Sequence, residues 1–303
     1  MTDKNKYTAC FLGLAMGDAY GAVFESGILE RFVWKLIGKT NGRLRYTDDT
    51  QMSIDLAKSF LENKKINQDK LAINFANSYK WSRGYGNGAT WLLKNIKKGG
   101  NWNELNKAKY KDGSFGNGAA MRAPILALCY PNDLKVLIKN VVKASEITHA
   151  NILAIEGAIL VAISTYGALN DWNNDTILKE LLIHSTLDQY KEKINLSIKY
   201  IKKTDEVTNS EIRKNLGNGI AAINSTVTAI YFALKYKNKA HDLMFKKIFS
   251  LKGDTDTIGA MAGGIWGAFN GYEQIHKEKL KKVEDYETIK ELAEKLHKFN
   301  FHQ

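Results

Sequence analysis

Residues that staple or interrupt a fold are scarce here. Only two cysteines, Cys10 and Cys129, occur in 303 residues, and both lie among apolar neighbours. One possible pair in so long a chain is no disulfide framework, so both read as core thiols. The six histidines are scattered and no cysteine lies at ligand spacing from any of them, which leaves a structural zinc site without support. Two prolines, Pro124 and Pro131, stand against abundant Leu, Ala, Lys, Ile and Glu. That composition favours long uninterrupted helices and disfavours turn-rich β-architecture. Long apolar runs are missing too. GAILVAISTYGAL, residues 157–169, falls short of the roughly 20 residues that span a bilayer, and no membrane span is expected. The start, MTDKNKYTACFLGLAMGDAYG, sets lysines before an apolar stretch as a signal peptide does. Asp18 interrupts it and amphipathic sequence follows, so the reading is a cytoplasmic protein.

What is present is ordinary globular sequence, 44% hydrophobic and 25% charged, with no polar stretch long enough for disorder. The net charge of +12 raises nucleic-acid binding, but the lysines are spread along helices and mixed with acids, as in HKEKLKKVEDYETIKELAEKLHKF. The charge reads as a solvated lysine-rich surface. Helical spacing recurs, as in Met52, Leu56 and Phe60; Leu134, Leu137 and Ile138; Ile177, Leu181 and Leu182; and Leu243, Ile248 and Leu251. No convincing strand alternation occurs. Breaks are short and rich in Gly or Asn, none resembles an interdomain linker, and the GNG triplets at 86, 116 and 217 share no surrounding pattern. One all-helical domain over 1–303, with a dozen or so helices, accounts for this.

Two segments stand out: YTDDTQMSIDLAKSF at 46–60 and GDTDTIGAMAGG at 253–264. Thr47, Asp48 and Asp254 read as helix caps, because Asp and Thr satisfy free N–H groups and suit the helix dipole. Capping needs one side chain, however, and TDDT and DTDT at the starts of these segments supply four aspartates and four threonines. Four carboxylates held together repel unless cations sit among them. Oxygen-only ligands select Mg²⁺, Mn²⁺ or Ca²⁺ over zinc, and a carboxylate bridging two ions serves a binuclear centre. Spacing alone does not bring these segments together. Gly259, Gly263 and Gly267 recur every four residues, so one helix face is bare. A second helix can approach there, and the expectation is that this brings DTDT against TDDT.

GLAMGDAYGAVFE (13–25), YTDDTQM (46–52), GNGAAMR (116–122), TH (148–149) and GDTDTIGAMAGG (253–264) resemble, in this order, the signature segments of the ADP-ribosylglycohydrolase family. The resemblance spans nearly the whole chain. It implies an all-α, single-domain orthogonal helical bundle with two Mg²⁺ or Mn²⁺ ions, which hydrolyses the bond joining ADP-ribose to a protein side chain. By the same resemblance Thr47, Asp48, Asp49, Asp254, Asp256 and Thr257 match metal ligands; Asp256, placed within DTDT between two candidate ligands, is expected to bridge the ions. Glu25 matches the glutamate that reaches the ions and is the preferred general base; Asp49 and Asp256 join it as catalytic carboxylates. Asp18 reads as structural or as support for the ligands.

RGYGNGA (83–89) and GSFGNGAA (113–120) are glycine-rich loops leading into helical stretches, and exposed N–H groups on such loops hold diphosphates. The resemblance makes Gly84, Gly86, Asn87 and Gly88 the phosphate-contacting loop. It makes Ser114, Phe115, Gly116, Asn117 and Gly118 the pocket near adenosine, with Phe115 offering a stacking face. His149 matches a histidine near the ligand. The implied partner is an ADP-ribosylated protein, or another ADP-ribosyl conjugate, met by a monomer without membrane or nucleic acid. Two other readings remain: a recruited, non-catalytic ADP-ribose binder, and a hydrolase of small-molecule or nucleic-acid conjugates. GDTDT is more similar to the activating glycohydrolase and serine-directed relatives than to the arginine-directed one, and the acceptor stays open.

Overall fold

The computed structural model describes residues 3–25, 34 and 38–301. Among these the regular structure is almost wholly helical, as the composition and the resemblance both predict. The only named strands are Lys39–Thr40 and Arg43–Leu44, an antiparallel pair with Lys39 opposite Leu44. Their turn is Asn41–Gly42, with φ of 50° and 78°, the left-handed conformations that Asn-Gly hairpins accommodate.

Two helices, Lys4–Gly21 and Thr255–Asn270, form the axis, and both are buried around most of their circumference. Gly13 faces Gly263, Gly17 faces Gly259 and Ala9 faces Gly267, so the two run antiparallel. A Cβ added at Gly17 would lie 2.0 Å from the Gly259 carbonyl oxygen, and one at Gly263 2.1 Å from that of Gly13. Backbone meets backbone, and no side chain fits between.

The helix that packs on the bare glycine face is the first one, because it has its own glycines at the matching four-residue spacing. As expected, the acid segments meet: the Thr257 hydroxyl donates to Asp49 Oδ2 at 3.4 Å, and both segments are reached by Asp18. Its carboxylate accepts from the Thr47 N–H at 2.9 Å, the Thr50 N–H at 3.0 Å and the Thr50 hydroxyl at 2.6 Å.

Around this axis the outer helices bury one face each. Met52, Leu56 and Phe60 are buried on Asp48–Asn63, Leu137 on Leu134–Glu146, and Ile177 and Leu181 on Asn174–His184. Leu243 breaks the pattern at 40% exposure. Ile152–Leu169 is longer than its apolar run predicts and passes the length and composition test for a membrane span; 72% of it is buried inside the fold, as in a core helix. The buried side chains form one contiguous cluster that includes both cysteines, which are free thiols.

Candidate active site

A cleft of about 380 Å³ opens where the first helix ends and the helices Asp48–Asn63 and Thr255–Asn270 begin. Glu25, Asp48, Asp49, Asp254, Asp256 and Thr257 form one side of its lining. Gly84, Gly86, Asn87, Gly88, Ser114, Phe115, Gly116, Asn117, Gly118 and His149 supply the rest of the sequence-predicted residues. Of the site residues expected from the sequence, only Thr47 is not part of the lining. It sits behind Asp49 as the N-cap: its hydroxyl accepts from the Asp49 N–H at 3.3 Å and donates to Asp49 Oδ2 at 3.0 Å.

The capping explanation accounts for Thr47 but not for Asp254. Asp254 occupies the N-cap position of Thr255–Asn270, yet its side chain makes no capping hydrogen bond. Its Oδ2 instead accepts from Asn117 Nδ2 at 2.5 Å. Carboxylate oxygens of Asp18, Asp49 and Asp256 lie within 4.8 Å of one another, as do those of Glu25, Asp254 and Asp256, so Asp256 belongs to both groups. Asp48 lines the cleft but is in neither triad. Asp49 Oδ2 also receives the Thr257 hydroxyl at 3.4 Å, whereas the buried Asp49 Oδ1 has no hydrogen-bond partner among the described residues.

Such a cluster is costly without a counter-charge. Burial, followed by neighbouring carboxylates, pushes the pKa of Asp48 up to about 8 and those of Asp49 and Asp256 well above the usual range. Asp18 and Asp254 are also raised by burial, against hydrogen bonds from Thr50 and Asn117 that oppose it. An orphaned buried oxygen, two carboxylate triads and hydroxyl oxygens beside them fit a hard divalent cation, which would satisfy the lone pairs and reverse the repulsion.

Two glycine loops line the same cleft as the acids. Gly84 has φ of 81°, and Gly86 precedes the helix Asn87–Lys97, whose N-terminus no side chain caps. Its first N–H groups are therefore available to an anion. Phe115 is 50% exposed at the cleft. Asn117 lines the cleft, and both hydrogens of its amide are directed at protein, to Asp254 and to Ser225 Oγ at 3.0 Å, so it also orients an acid.

Sequence reasoning missed several lining residues. Met52, Ala89, Tyr110, Met121 and Ile220 all line the cleft. Ile220 arrives through a loop that pairs with the second glycine loop: the Asn117 N–H donates to Ile220 O at 2.9 Å and the Ala222 N–H to Phe115 O at 3.0 Å. The same loop accepts the Asp254 N–H at Asn218 O. The signal for it was the third GNG triplet. Asp18 was signalled by an acid inside an otherwise apolar helix, which has to be hydrogen-bonded or paired with a cation when buried.

With this geometry in hand, the comparisons have a structural meaning. A family model described as ADP-ribosylglycohydrolase matches residues 1–302. ADP-ribosylhydrolase ARH3 of Xenopus tropicalis is 32% identical, with 97% of this chain and 95% of that protein covered. ADP-ribosylhydrolase ARH3 of Homo sapiens is 32% identical, with 97% and 93% covered. A solved structure, an ADP-ribosylglycohydrolase-related protein complex, has the same fold: TM-score 0.72 at 20% identity, covering 98% of this chain and 99% of that one. The chain belongs to the ADP-ribosylglycohydrolase family.

Proposed function

We propose that this protein is a metal-dependent hydrolase that removes ADP-ribose from modified protein side chains by cleaving the glycosidic bond at the ribose anomeric carbon. The observation that carries the reading is the double carboxylate triad sharing Asp256, at a cleft that two glycine loops also line. Family membership and the similarity to proteins named ADP-ribosylhydrolase give it its substrate class.

Two Mg²⁺ or Mn²⁺ ions are proposed to sit among Thr47, Asp48, Asp49, Asp254, Asp256 and Thr257, with Asp18 and Glu25 at the two ends of the cluster. Ions held by these residues would supply Lewis-acid chemistry at the ribose and its attacking water. Glu25, grouped with Asp254 and Asp256, accepts the proton of the attacking water. The carboxylates beside the ribose stabilise the positive charge that develops on its ring. Asn117 holds Asp254, and Thr47 and Thr257 hold Asp49, so the acids need little reorganisation. The uncapped N-terminus of Asn87–Lys97 receives the diphosphate and Phe115 offers its ring to adenine.

The test is a panel of ADP-ribosylated arginine, serine and nucleic-acid substrates, incubated with purified protein and Mg²⁺ or Mn²⁺ and assayed for free ADP-ribose. Release from a protein-type linkage is expected. Release only from nucleic acid would reassign the substrate, and tight ADP-ribose binding without release from any conjugate would reduce the protein to a binder.

A further inference from the structure

Arg122 and Thr148 belong to two of the sequence segments, GNGAAMR and TH, and neither has a part in the chemistry described so far. Arg122 is fully buried and forms no ion pair among the described residues. Its guanidinium lies 5.1 Å over the Phe75 ring and spends its Nη hydrogens on Gly118 O, on Ala144 O at 2.9 Å and on Thr148 Oγ1 at 2.8 Å. Thr148 Oγ1 therefore accepts from a group that can never accept in return.

Only one other partner reaches that hydroxyl among the described residues: His149 Nδ1, at 2.8 Å. Thr148 is buried, so its single hydrogen must find an acceptor, and Nδ1 is the acceptor within reach. The opposite arrangement, with hydrogen on Nδ1, would leave two donors aimed at one oxygen and the hydroxyl hydrogen unpaired. Nδ1 is thus the bare nitrogen and Nε2 carries the hydrogen. His149 lines the cleft with its ring against the second glycine loop; a Cβ at Gly116 would lie 3.4 Å from Nε2 and one at Gly118 2.8 Å from it. Nε2 makes no hydrogen bond among the described residues. Burial, then the Arg122 charge, hold the imidazole pKa down at about 3, so the ring is neutral.

We infer that Arg122 and Thr148 are positioning residues that lock His149 in its Nε2–H tautomer, making it a fixed hydrogen-bond donor to an acceptor atom of the bound ADP-ribosyl group. The ligand named here rests on the proposed function; the tautomer does not. In this role His149 recognises substrate and neither takes nor gives the proton of the reaction.

Nitrogen-15 NMR of the imidazole in the ligand-free protein reads the tautomer directly, and calorimetry with ADP-ribose reads its use. Wild type should show the hydrogen on Nε2. Thr148→Ser keeps the hydroxyl and should match it, while the near-isosteric Thr148→Val should populate the Nδ1–H form. ADP-ribose affinity should fall about two- to tenfold in Thr148→Val and stay near wild type in Thr148→Ser. Hydrogen on Nδ1 in wild type, or an unchanged spectrum in Thr148→Val, overturns the relay. A shifted tautomer with unchanged affinity overturns the donor role. If the spectra behave as expected but even wild type ignores ADP-ribose, the functional reading has failed and the relay stands.

Discussion

Asp256 and Glu25 share a triad but are assigned different work, and substitution should separate them. Asp256 belongs to both carboxylate groups, so Asp256→Asn removes a charge that both ions would share. Metal content and turnover should fall together, measured by elemental analysis and ADP-ribose release. Glu25→Gln keeps the size of the side chain but cannot accept a proton. ADP-ribose binding should persist while kcat drops by about 10² to 10⁴. Wild-type turnover in Glu25→Gln with metal bound would remove Glu25 from the mechanism. Phe115, half exposed at the cleft, is assigned to adenine; Phe115→Ala should weaken ADP-ribose binding by about 1–3 kcal/mol with the fold intact, and unchanged affinity in calorimetry would put adenine elsewhere. Much at this scale is legible in the sequence, because carboxylates and threonines crowded at two helix starts exceed what capping needs. Asp18 is less so: one acid in an apolar helix looks the same whether it supports neighbours or joins a cluster, and only proximity to Asp49 and Asp256 distinguishes the cases.

Helix on helix, the decisive contact is the glycine seam between Lys4–Gly21 and Thr255–Asn270. Gly17→Ala would force a methyl carbon to within 2.0 Å of the Gly259 carbonyl oxygen, which the neighbouring backbone cannot yield without separating the helices. Overpacking of this kind costs about 1–3 kcal/mol or more. Because Asp18 lies one residue from Gly17 and Asp256 packs against Gly21, the loss should appear as a lower Tm and as weaker metal binding together. A Gly17→Ala protein with wild-type Tm and metal affinity would show that the seam has slack. The period-four glycines announce a close approach but not its partner. Any helix with a matching bare face would satisfy them, and the first helix carries the glycines that TDDTQMSIDLAKSF lacks. The loop bearing Ile220 is illegible for a similar reason: its pairing with residues 115–117 joins segments far apart in sequence through backbone atoms, which leave little trace in side-chain pattern.

For the molecule as a whole, stability is expected to depend on pH and, if the acid cluster binds its proposed ions, on cations. Asp55 is buried with Gln51 and Ser78 donating to its carboxylate, and burial outweighs them, Lys58 and Lys80 to raise its pKa to about 6 from 3.8. The folded state then binds this proton more tightly than the unfolded chain. Its contribution is fully present below about pH 4 and is lost as pH rises through about 6. Asp55→Asn, whose Oδ1 accepts from Gln51 and whose amide can donate to the Ser78 hydroxyl oxygen, should flatten the loss of stability between those pH values. At pH 7 it should gain up to about 3 kcal/mol over wild type in denaturant titrations. Identical pH profiles for the two proteins would mean that Asp55 titrates normally. The acid cluster links stability to metal in the same way: an ion bound only by the folded form raises Tm once its concentration exceeds its Kd. The central claim is that the paired triads hold ions that the hydrolysis requires. The most direct measurement is therefore release of free ADP-ribose from an ADP-ribosylated protein before chelation, after exhaustive chelation, and after return of Mg²⁺ or Mn²⁺. The account predicts activity, then its loss, then its recovery with a raised Tm; full turnover by the metal-stripped protein would contradict it.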